Sequence, residues 1–400
     1  SLQANTTADN NTAIGFFALN ANTTGTNNVG VGNSVLAANT TGDYNTVVGA
    51  LALDSATTAD QNTAIGYLAL QAATTGGSNT AVGSLSLKSV TTAVCNTAVG
   101  RDALEANTAS NLVAVGFKAL EANTTGTTNL AVGYAALQLN TTGQSNTALG
   151  YQALDANTTT NSNVAVGDRV LTANTADSNT AVGTFAMQAN TTGTANVALG
   201  INALNDNTTG ANQVAIGAYA LDGATTDGGN SVAIGYLAAS GVVASPVVAV
   251  GYRALFANTT GQSNTAVGYD AMVANTTGNY NTALGAFALD ASNTAYNTAI
   301  GYKALSLLST GSQNTAVGFA ALEDLTTGSY NTAVGIEAGR NVTTGSSNTI
   351  VGRNAMDSAV TGDSNTAIGT KALRLNTSGD DNTAVGFQAM DANTTGNYNT

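Results

Sequence analysis

The sequence predicts an all-β protein: a parallel β-solenoid of about 23 coils, each built from one 17-residue repeat. Three observations support this fold class. A glycine recurs at nearly constant spacing, an aliphatic residue always precedes it, and an Asn-Thr-Thr-Gly turn signal separates many of the copies. A repeat that contains a helix needs at least about 20 residues, so this shorter repeat favours strands joined by tight turns. We therefore expect parallel strands along the whole chain and no helix longer than two turns.

The recurring glycine, here called the marker glycine, defines the repeat. It occurs 23 times at a regular 17-residue spacing, except that four steps are one residue shorter and one step is one residue longer. We expect the turns to absorb these irregular steps, because loops tolerate length changes better than strands do. The structural glycines predicted from this spacing include Gly15, Gly32, Gly49, Gly66, Gly83, Gly100, Gly133, Gly150, Gly268 and Gly318.

Two apolar pairs occupy each repeat. Val, Ile or Leu precedes every marker glycine, Ala precedes that residue in 20 of 23 copies, and an Ala-Leu pair usually follows. Neighbouring residues of a strand point to opposite faces. We therefore predict that the large aliphatic residues fill the coil, while the Ala column lies outside and packs against another chain. The competing interpretation is that Ala packs inside a narrow coil while the aliphatic residue faces outward, which would still leave an apolar stripe to cover. The predicted oligomer face includes Ala64, Ala81, Ala98 and Ala131.

Asparagine marks two places in the repeat. Asn-Thr-Thr-Gly recurs, for example at Asn22 and Asn39, and predicts a corner in which Asn bonds its own backbone and Gly supplies a positive φ. A second Asn opens the strand in 19 of 23 copies. If the coils stack in register, these Asn side chains form a ladder of amides, as in other cross-β stacks. The predicted ladder includes Asn45, Asn62, Asn79, Asn146 and Asn281.

The repeat array is predicted to be one continuous domain over residues 1–400, part of a longer fibre, with an irregular coil at 236–250. In that coil residues 240–246 replace the usual corner and include Pro246, the only proline. Proline cannot donate to a backbone ladder. We expect a bulged or kinked corner there, between strands that keep their register.

The composition argues against several classes of function. The net charge is −13, histidine is absent, and there is one cysteine, Cys95. Histidine is the commonest acid-base catalyst and transition-metal ligand, and nucleic acids need clustered Lys and Arg. The sequence therefore predicts no enzyme, no catalytic, cofactor or metal site, no nucleic-acid partner and no membrane contact within this segment.

Two further columns are candidates for function. Carboxylates recur five positions after the marker glycine, including Asp54, Glu105, Glu121, Asp155, Asp222, Asp290, Glu323, Asp357 and Asp391. Paired carboxylates could hydrolyse glycosides, but a solvated column that keeps the protein soluble is the simpler interpretation. Aromatic residues follow the marker glycine in eleven copies, for example at Tyr134 and Tyr252. They could bind glycans, or they could only stack on one another between coils.

The repeat, with Asn-Thr-Ala-Ile-Gly at residues 11–15 as an example, resembles the head repeats of trimeric autotransporter adhesins and haemagglutinin-like surface proteins. It is also similar to repeat shafts of phage tail-fibre and chaperone-peptidase-terminated surface proteins. The resemblance implies a left-handed β-roll, three chains wide, displayed outside the cell. The period of this repeat is longer than the period typical of the adhesin heads.

From these observations we expect a structural fibre or adhesin shaft at the cell surface, most simply a homotrimer, that presents a binding tip or attaches to surfaces. A glycan or host surface is a further candidate partner. A phage tail-fibre shaft is the alternative. An ice-binding solenoid is the alternative of another class, although the Thr-Thr pairs lie at predicted corners rather than on a flat strand.

Overall fold

The computed structural model describes residues 1–223, 229–242 and 246–400, and these residues contain 23 strands, each three residues long, and no helix. The chain divides into two compact units, residues 1–196 and 197–400. In each unit every coil contributes one strand, which pairs in parallel with the strand of the next coil. The predicted all-β parallel solenoid and its 17-residue repeat are therefore confirmed.

Unit 1 contains eleven strands, and consecutive strands within the unit pair in register. Their bounds are β1 Thr12–Ile14, β2 Val29–Val31, β3 Thr46–Val48, β4 Thr63–Ile65, β5 Thr80–Val82, β6 Thr97–Val99, β7 Val113–Val115, β8 Leu130–Val132, β9 Thr147–Leu149, β10 Val164–Val166 and β11 Thr180–Val182.

Unit 2 contains twelve strands with the same parallel pairing. Their bounds are β12 Val197–Leu199, β13 Val214–Ile216, β14 Val232–Ile234, β15 Val248–Val250, β16 Thr265–Val267, β17 Thr282–Leu284, β18 Thr298–Ile300, β19 Thr315–Val317, β20 Thr332–Val334, β21 Thr349–Val351, β22 Thr366–Ile368 and β23 Thr383–Val385. Their first and third residues are Thr, Val, Ile or Leu, which favour the pleated surface of a sheet.

The strand register survives the shortened steps because the corner absorbs the missing residue. Thr97 pairs with Val113 across one of these steps without a change of face. In the shortened corner between them, the amide of Asn107 donates to the carbonyl of Ala109, two positions on, at 2.7 Å. The corresponding bond of a full-length corner, from Asn22 to Gly25, spans three positions. The expectation that turns absorb these steps is confirmed here; the lengthened step falls on residues 224–228, outside the described residues.

The core lies inside the coil, and the middle residue of each strand points into it. Ala64, Ala81, Ala98 and Ala131 all have 0% exposure in the single chain. The predicted oligomer face at these four residues is therefore wrong. The aliphatic residue before the marker glycine points outward instead, as Ile65 does with 40% exposure. A three-residue strand can send only its middle side chain inward, and the narrow coil accepts Ala there.

The Ala-Leu pair lies in the bend after the marker glycine, not in a strand, and both of its residues are buried in all but the terminal coils. The Leu of each pair has a left-handed backbone, for example Leu87 with φ of 49° and Leu120 with φ of 52°. β-branched residues are strongly disfavoured at positive φ. This explains why Leu or Met fills this buried column in nearly all copies and Val or Ile in none, while Val and Ile dominate the column before the marker glycine.

The predicted irregular coil at 236–250 is described in part, since residues 243–245 lie outside the described residues. On either side, β14 and β15 pair in register, with Val232 opposite Val248. Val242 and Val247, each 2% exposed, fill the two places that Asn occupies in a standard coil. The flanking register is thus as expected, while the predicted kink itself falls on a segment that includes the undescribed residues.

Candidate functional site

The marker glycines make the sharpest bend of each coil. The ten predicted above have φ between 131° and 144°, a region that is essentially restricted to glycine. A Cβ added at any of them would come within 3.0 Å of the carbonyl of the next coil's marker glycine. Backbone conformation and coil-to-coil contact therefore both require glycine at these positions.

The corner glycine has a different role from the one predicted. Gly25, Gly42 and Gly126 do not have a positive φ, so the expectation that this glycine supplies one is wrong. A Cβ at Gly25 would instead lie 2.6 Å from the Oδ1 atom of Asn22, in the same corner. Glycine at this corner avoids a close contact with the buried Asn amide.

The Asn residues that open the strands form a buried column, here called the strand ladder. The Oδ1 atom of Asn45 accepts a 3.0 Å bond from the backbone N–H of Asn62, and Asn62 bonds Asn79 in the same way. The Nδ2 atom of Asn62 donates to the carbonyl of Gly76 at 3.0 Å. Asn146 and Asn281 make the same two kinds of contact, with backbone N–H distances of 2.9 Å. The amides thus bond mainly to backbone groups of adjoining coils, and amide–amide bonds of 3.0–3.3 Å supplement some of them.

A second buried ladder, here called the corner ladder, runs along the corners, and the sequence analysis missed it. The Nδ2 atom of Asn39 donates to the Oδ1 atom of Asn22 at 2.8 Å, and Asn140 donates to Asn123 at 2.8 Å. The same Nδ2 atoms also donate to the corner glycine carbonyls. The regular recurrence of the corner Asn was the signal that could have revealed it. The run of the ladder that includes Asn22 stops at Asn39, whose buried Oδ1 atom has no partner because Ala56 occupies the equivalent position in the next coil. An unpaired buried polar group of this kind costs about 1–3 kcal/mol.

Burial also determines whether the Asn-x-Thr sequences at the corners can be glycosylated. Asn22, Asn39 and Asn123 are 0% exposed, and their amides are engaged in the corner ladder. An N-linked glycan needs an accessible amide. These corners can therefore not accept a glycan while the coils are folded.

In each unit, the first and third residues of the strands point outward and form a surface, here called the outer strand face. Its first column holds Thr in 15 strands and Val or Leu in eight, and its third-residue column is Val, Ile or Leu throughout. Val48 and Leu284 are 39% and 47% exposed, while other members such as Val82 are half-buried. Isolated exposed aliphatic residues are normal, but a long column of them marks an interaction surface.

The aromatic residues after the marker glycine stack along the coils. Tyr134 and Tyr151 have ring centroids 5.1 Å apart and planes 11° apart, and Tyr252 and Tyr269 are similar at 4.9 Å and 13°. Rings stacked in this way cover one another's faces and leave their edges toward solvent. The geometry favours stacking between coils over a platform for sugar rings, which need an open aromatic face.

Many carboxylates of the predicted acidic column form ion pairs with neighbouring coils or within their own bend. Glu323 accepts bonds from Lys303 at 3.2 Å and from Arg340 at 2.9 Å. Glu121 pairs with Lys118 at 2.9 Å, Asp391 with Arg374 at 2.9 Å, and Glu105 with Lys88 at 3.4 Å. Such partly exposed pairs contribute only about 0–1 kcal/mol each. Their arrangement is that of a solvated, charge-balanced column rather than of a carboxylate pair held for catalysis.

Other members of this column are partly desolvated. Burial raises the pKa of Asp54 and Asp155 above 3.8, and it also raises the pKa of Asp357. Burial raises the pKa of Asp222 to about 6, helped by Asp206, and raises the pKa of Asp290 to about 6 as well. These shifts come mainly from desolvation, so they follow from the packing of the column.

Within the described residues, no group of three or more His, Cys, Asp and Glu is placed to hold a metal ion. No described helix has the length and apolarity needed to cross a bilayer. No protein-family model matches the chain, and no curated protein matches it either.

Proposed function

We propose that this chain is a structural shaft segment of an extracellular fibre or adhesin, which spaces or presents a binding tip and contributes to surface attachment or filament assembly. The observation that carries the proposal is the repetition of one coil, joined to the next by an in-register strand and, in most coils, by buried amide bonds. Each coil buries its polar groups only against neighbouring coils, so length can grow without a new fold.

The resemblance to trimeric autotransporter adhesin heads supports the same function and adds finer features to the proposal. These are a left-handed roll, a homotrimer and display at the cell surface. A tail-fibre shaft on a virion has the same mechanical requirements and is the alternative within this class. A glycan or host surface is the proposed contact of the assembled fibre.

Coil deletion tests the shaft function. Removing residues 265–348 takes out five coils and joins Asn264 to Thr349, which preserves the sequence of a strand start. We expect a folded protein whose long dimension, seen by electron microscopy, falls by about 24 Å at about 4.8 Å per coil.

Removing residues 265–340 is the matched control, because it joins a strand start to a corner and breaks the repeat. We expect it to unfold the adjoining coils. An in-phase deletion that left the long dimension unchanged would contradict the shaft function.

One observation favours a second candidate, ice binding. In eight successive strands, β16 to β23, the first residue is an outward Thr and the third is an outward aliphatic residue. The regular, uncharged Thr column is therefore on the flat strand and not only at the corners. Thermal hysteresis of the wild-type protein, abolished by Thr298→Lys, Thr315→Lys and Thr332→Lys together, would support this function; its absence would exclude it.

A further inference from the structure

We infer that the outer strand face is the surface through which copies of this chain bind one another. The inference rests on the proposed shaft function, and it replaces the Ala columns, which lie inside the coil, with a different surface. Its partner is a second copy of the chain.

The composition of this face is the first argument. None of its positions in any of the 23 strands carries a charge, although the chain has 10 Lys and Arg and 23 Asp and Glu. The preference of strands for β-branched residues explains Val and Ile at these positions. Thr would satisfy the same preference, and its hydroxyl could also hydrogen-bond to water. The third-residue column is nevertheless aliphatic in every strand. Depletion of charge combined with aliphatic content is the signature of the buried centre of an interface.

The area of the face is the second argument. Within unit 2, twelve strands at about 4.8 Å each and about 10 Å wide give a footprint of roughly 600 Å² before side-chain relief is included. A stable interface buries about 800 Å² per partner. One unit thus approaches the required area, and its footprint, Thr positions included, reaches the upper end of the range of about 300–600 Å² for the largest apolar patch of a typical monomer.

Continuity is the third argument. In β12 to β15 both outward columns are aliphatic, which gives a block without Thr; we call these four strands the aliphatic block. Leu199, Ile216 and Ile234 in this block are 37–41% exposed. Because the strands pair in register, the side chains form straight columns that an identical surface can meet along its length. The aliphatic block should be the tightest part of the contact.

Charge substitution on the face tests the inference. The face variant is Leu199→Lys, Ile216→Glu and Ile234→Lys in the aliphatic block, whose alternating signs attract between stacked coils and so preserve the fold. The matched control, in the same unit, is Thr310→Lys, Thr327→Glu and Thr344→Lys, on exposed corner residues. We expect sedimentation to give a multiple of 39.4 kDa for the wild type and control, and 39.4 kDa for the face variant.

A milder variant keeps the test decisive if the charged one fails to fold. Val214→Thr, Val232→Thr and Val248→Thr give the aliphatic block the Thr column found in most other strands. We expect this variant to retain its far-UV spectrum and to raise the dissociation constant at least tenfold.

Two outcomes would overturn the inference: a wild-type mass of 39.4 kDa at micromolar concentration, with or without thermal hysteresis, or a folded face variant that assembles like the wild type. Neither outcome would change the length measured after coil deletion, so failure of this inference is distinguishable from failure of the shaft function.

Discussion

Two turns of the same coil, the marker-glycine bend and the Asn-Thr-Thr-Gly corner, both contain glycine but need it for different reasons. Gly133 in the bend has φ of 136°, whereas Gly126 in the preceding corner has no positive φ. An added Cβ would collide with the next coil at both positions. Only the bend adds a backbone conformation that other residues cannot adopt.

The residues found at the two positions reflect this difference. Every marker position is glycine, while the corner position holds Ala59, Ala93 and Thr160 in some coils. At Ala59 the contact to the strand ladder persists, with Asn45 donating to its carbonyl at 2.7 Å. A close contact can be relieved by a small shift of a neighbour, but a glycine-only conformation cannot be relieved without rebuilding the turn. The bend is therefore the less tolerant of the two turns.

The largest expected effect separates the two glycines directly. We expect Gly133→Ala to lower the free energy of unfolding by about 4 kcal/mol or more, since backbone strain adds to a collision with the next coil. We expect Gly126→Ala to cost about 1 kcal/mol, because other corners hold Ala at the same position, namely Ala59 and Ala93. Denaturant unfolding of both variants measures the difference, and equal losses would show that the collision alone matters.

The next-largest effect concerns the strand ladder, whose amides bond to backbone groups of adjoining coils. Asn62→Ala removes the acceptor of the Asn79 N–H and the donor to the Gly76 carbonyl. We expect the free energy of unfolding, measured with denaturant, to fall by about 2–3 kcal/mol, because two buried backbone groups lose partners.

Asn33→Ala is the control for the ladder variant, since Asn33 is exposed in the same unit. We expect it to change the free energy of unfolding by less than about 0.5 kcal/mol. Similar losses for the two variants would mean that the ladder amides add no more than surface amides do.

The bend can also be tested by substituting its buried Leu instead of its glycine. Leu87 is fully buried with φ of 49°. We expect Leu87→Ile to cost about 2 kcal/mol, since a β-branched side chain is disfavoured at positive φ. Leu87→Met, a residue found in this column at Met187, should cost less than about 1.5 kcal/mol. If denaturant unfolding ranks the two variants equally, backbone conformation does not explain the choice of Leu.

Much of the fold could be predicted from the sequence because each position of the coil occurs in many copies, so its residue preferences can be read from a whole column. The glycine spacing predicts the coil, its strand and the turn that absorbs the short steps. The strand ladder residues could be chosen from their column alone, since an in-register stack places equivalent amides next to each other.

The orientation of the strand could not be predicted in the same way. Ala64 and Ile65 are both apolar, so alternation alone could not decide which of them points inward. The deciding quantity is the width of the coil, and this depends on the left-handed bend at Leu70, with φ of 53°, and on the Asn side chains that fill the interior. Asn is typical of turns, and its buried role at the corner emerges only when coils are stacked.

The smallest effect lies between the two turns, at the carboxylate that follows the buried Leu of the bend. Burial raises the pKa of Asp290 to about 6, with Asp270 adding to the rise and Lys303 opposing it. An acid with a raised pKa binds more protons in the folded state, so its ionisation favours unfolding. Stability should therefore fall as pH rises from about 3.8 to 6, by about 1 kcal/mol after allowance for solvent screening.

Asp290→Asn should remove this loss, so that the variant is more stable than the wild type at pH 7 and comparable to it near pH 4. The exposed Asp9→Asn is the control and should not change the slope of stability between pH 4 and 7. Guanidinium unfolding at both pH values measures the slope. If Asp290→Asn has the same slope as the wild type, Asp290 is solvated enough to ionise freely. The carboxylate column would then not lower the stability of the coil at neutral pH.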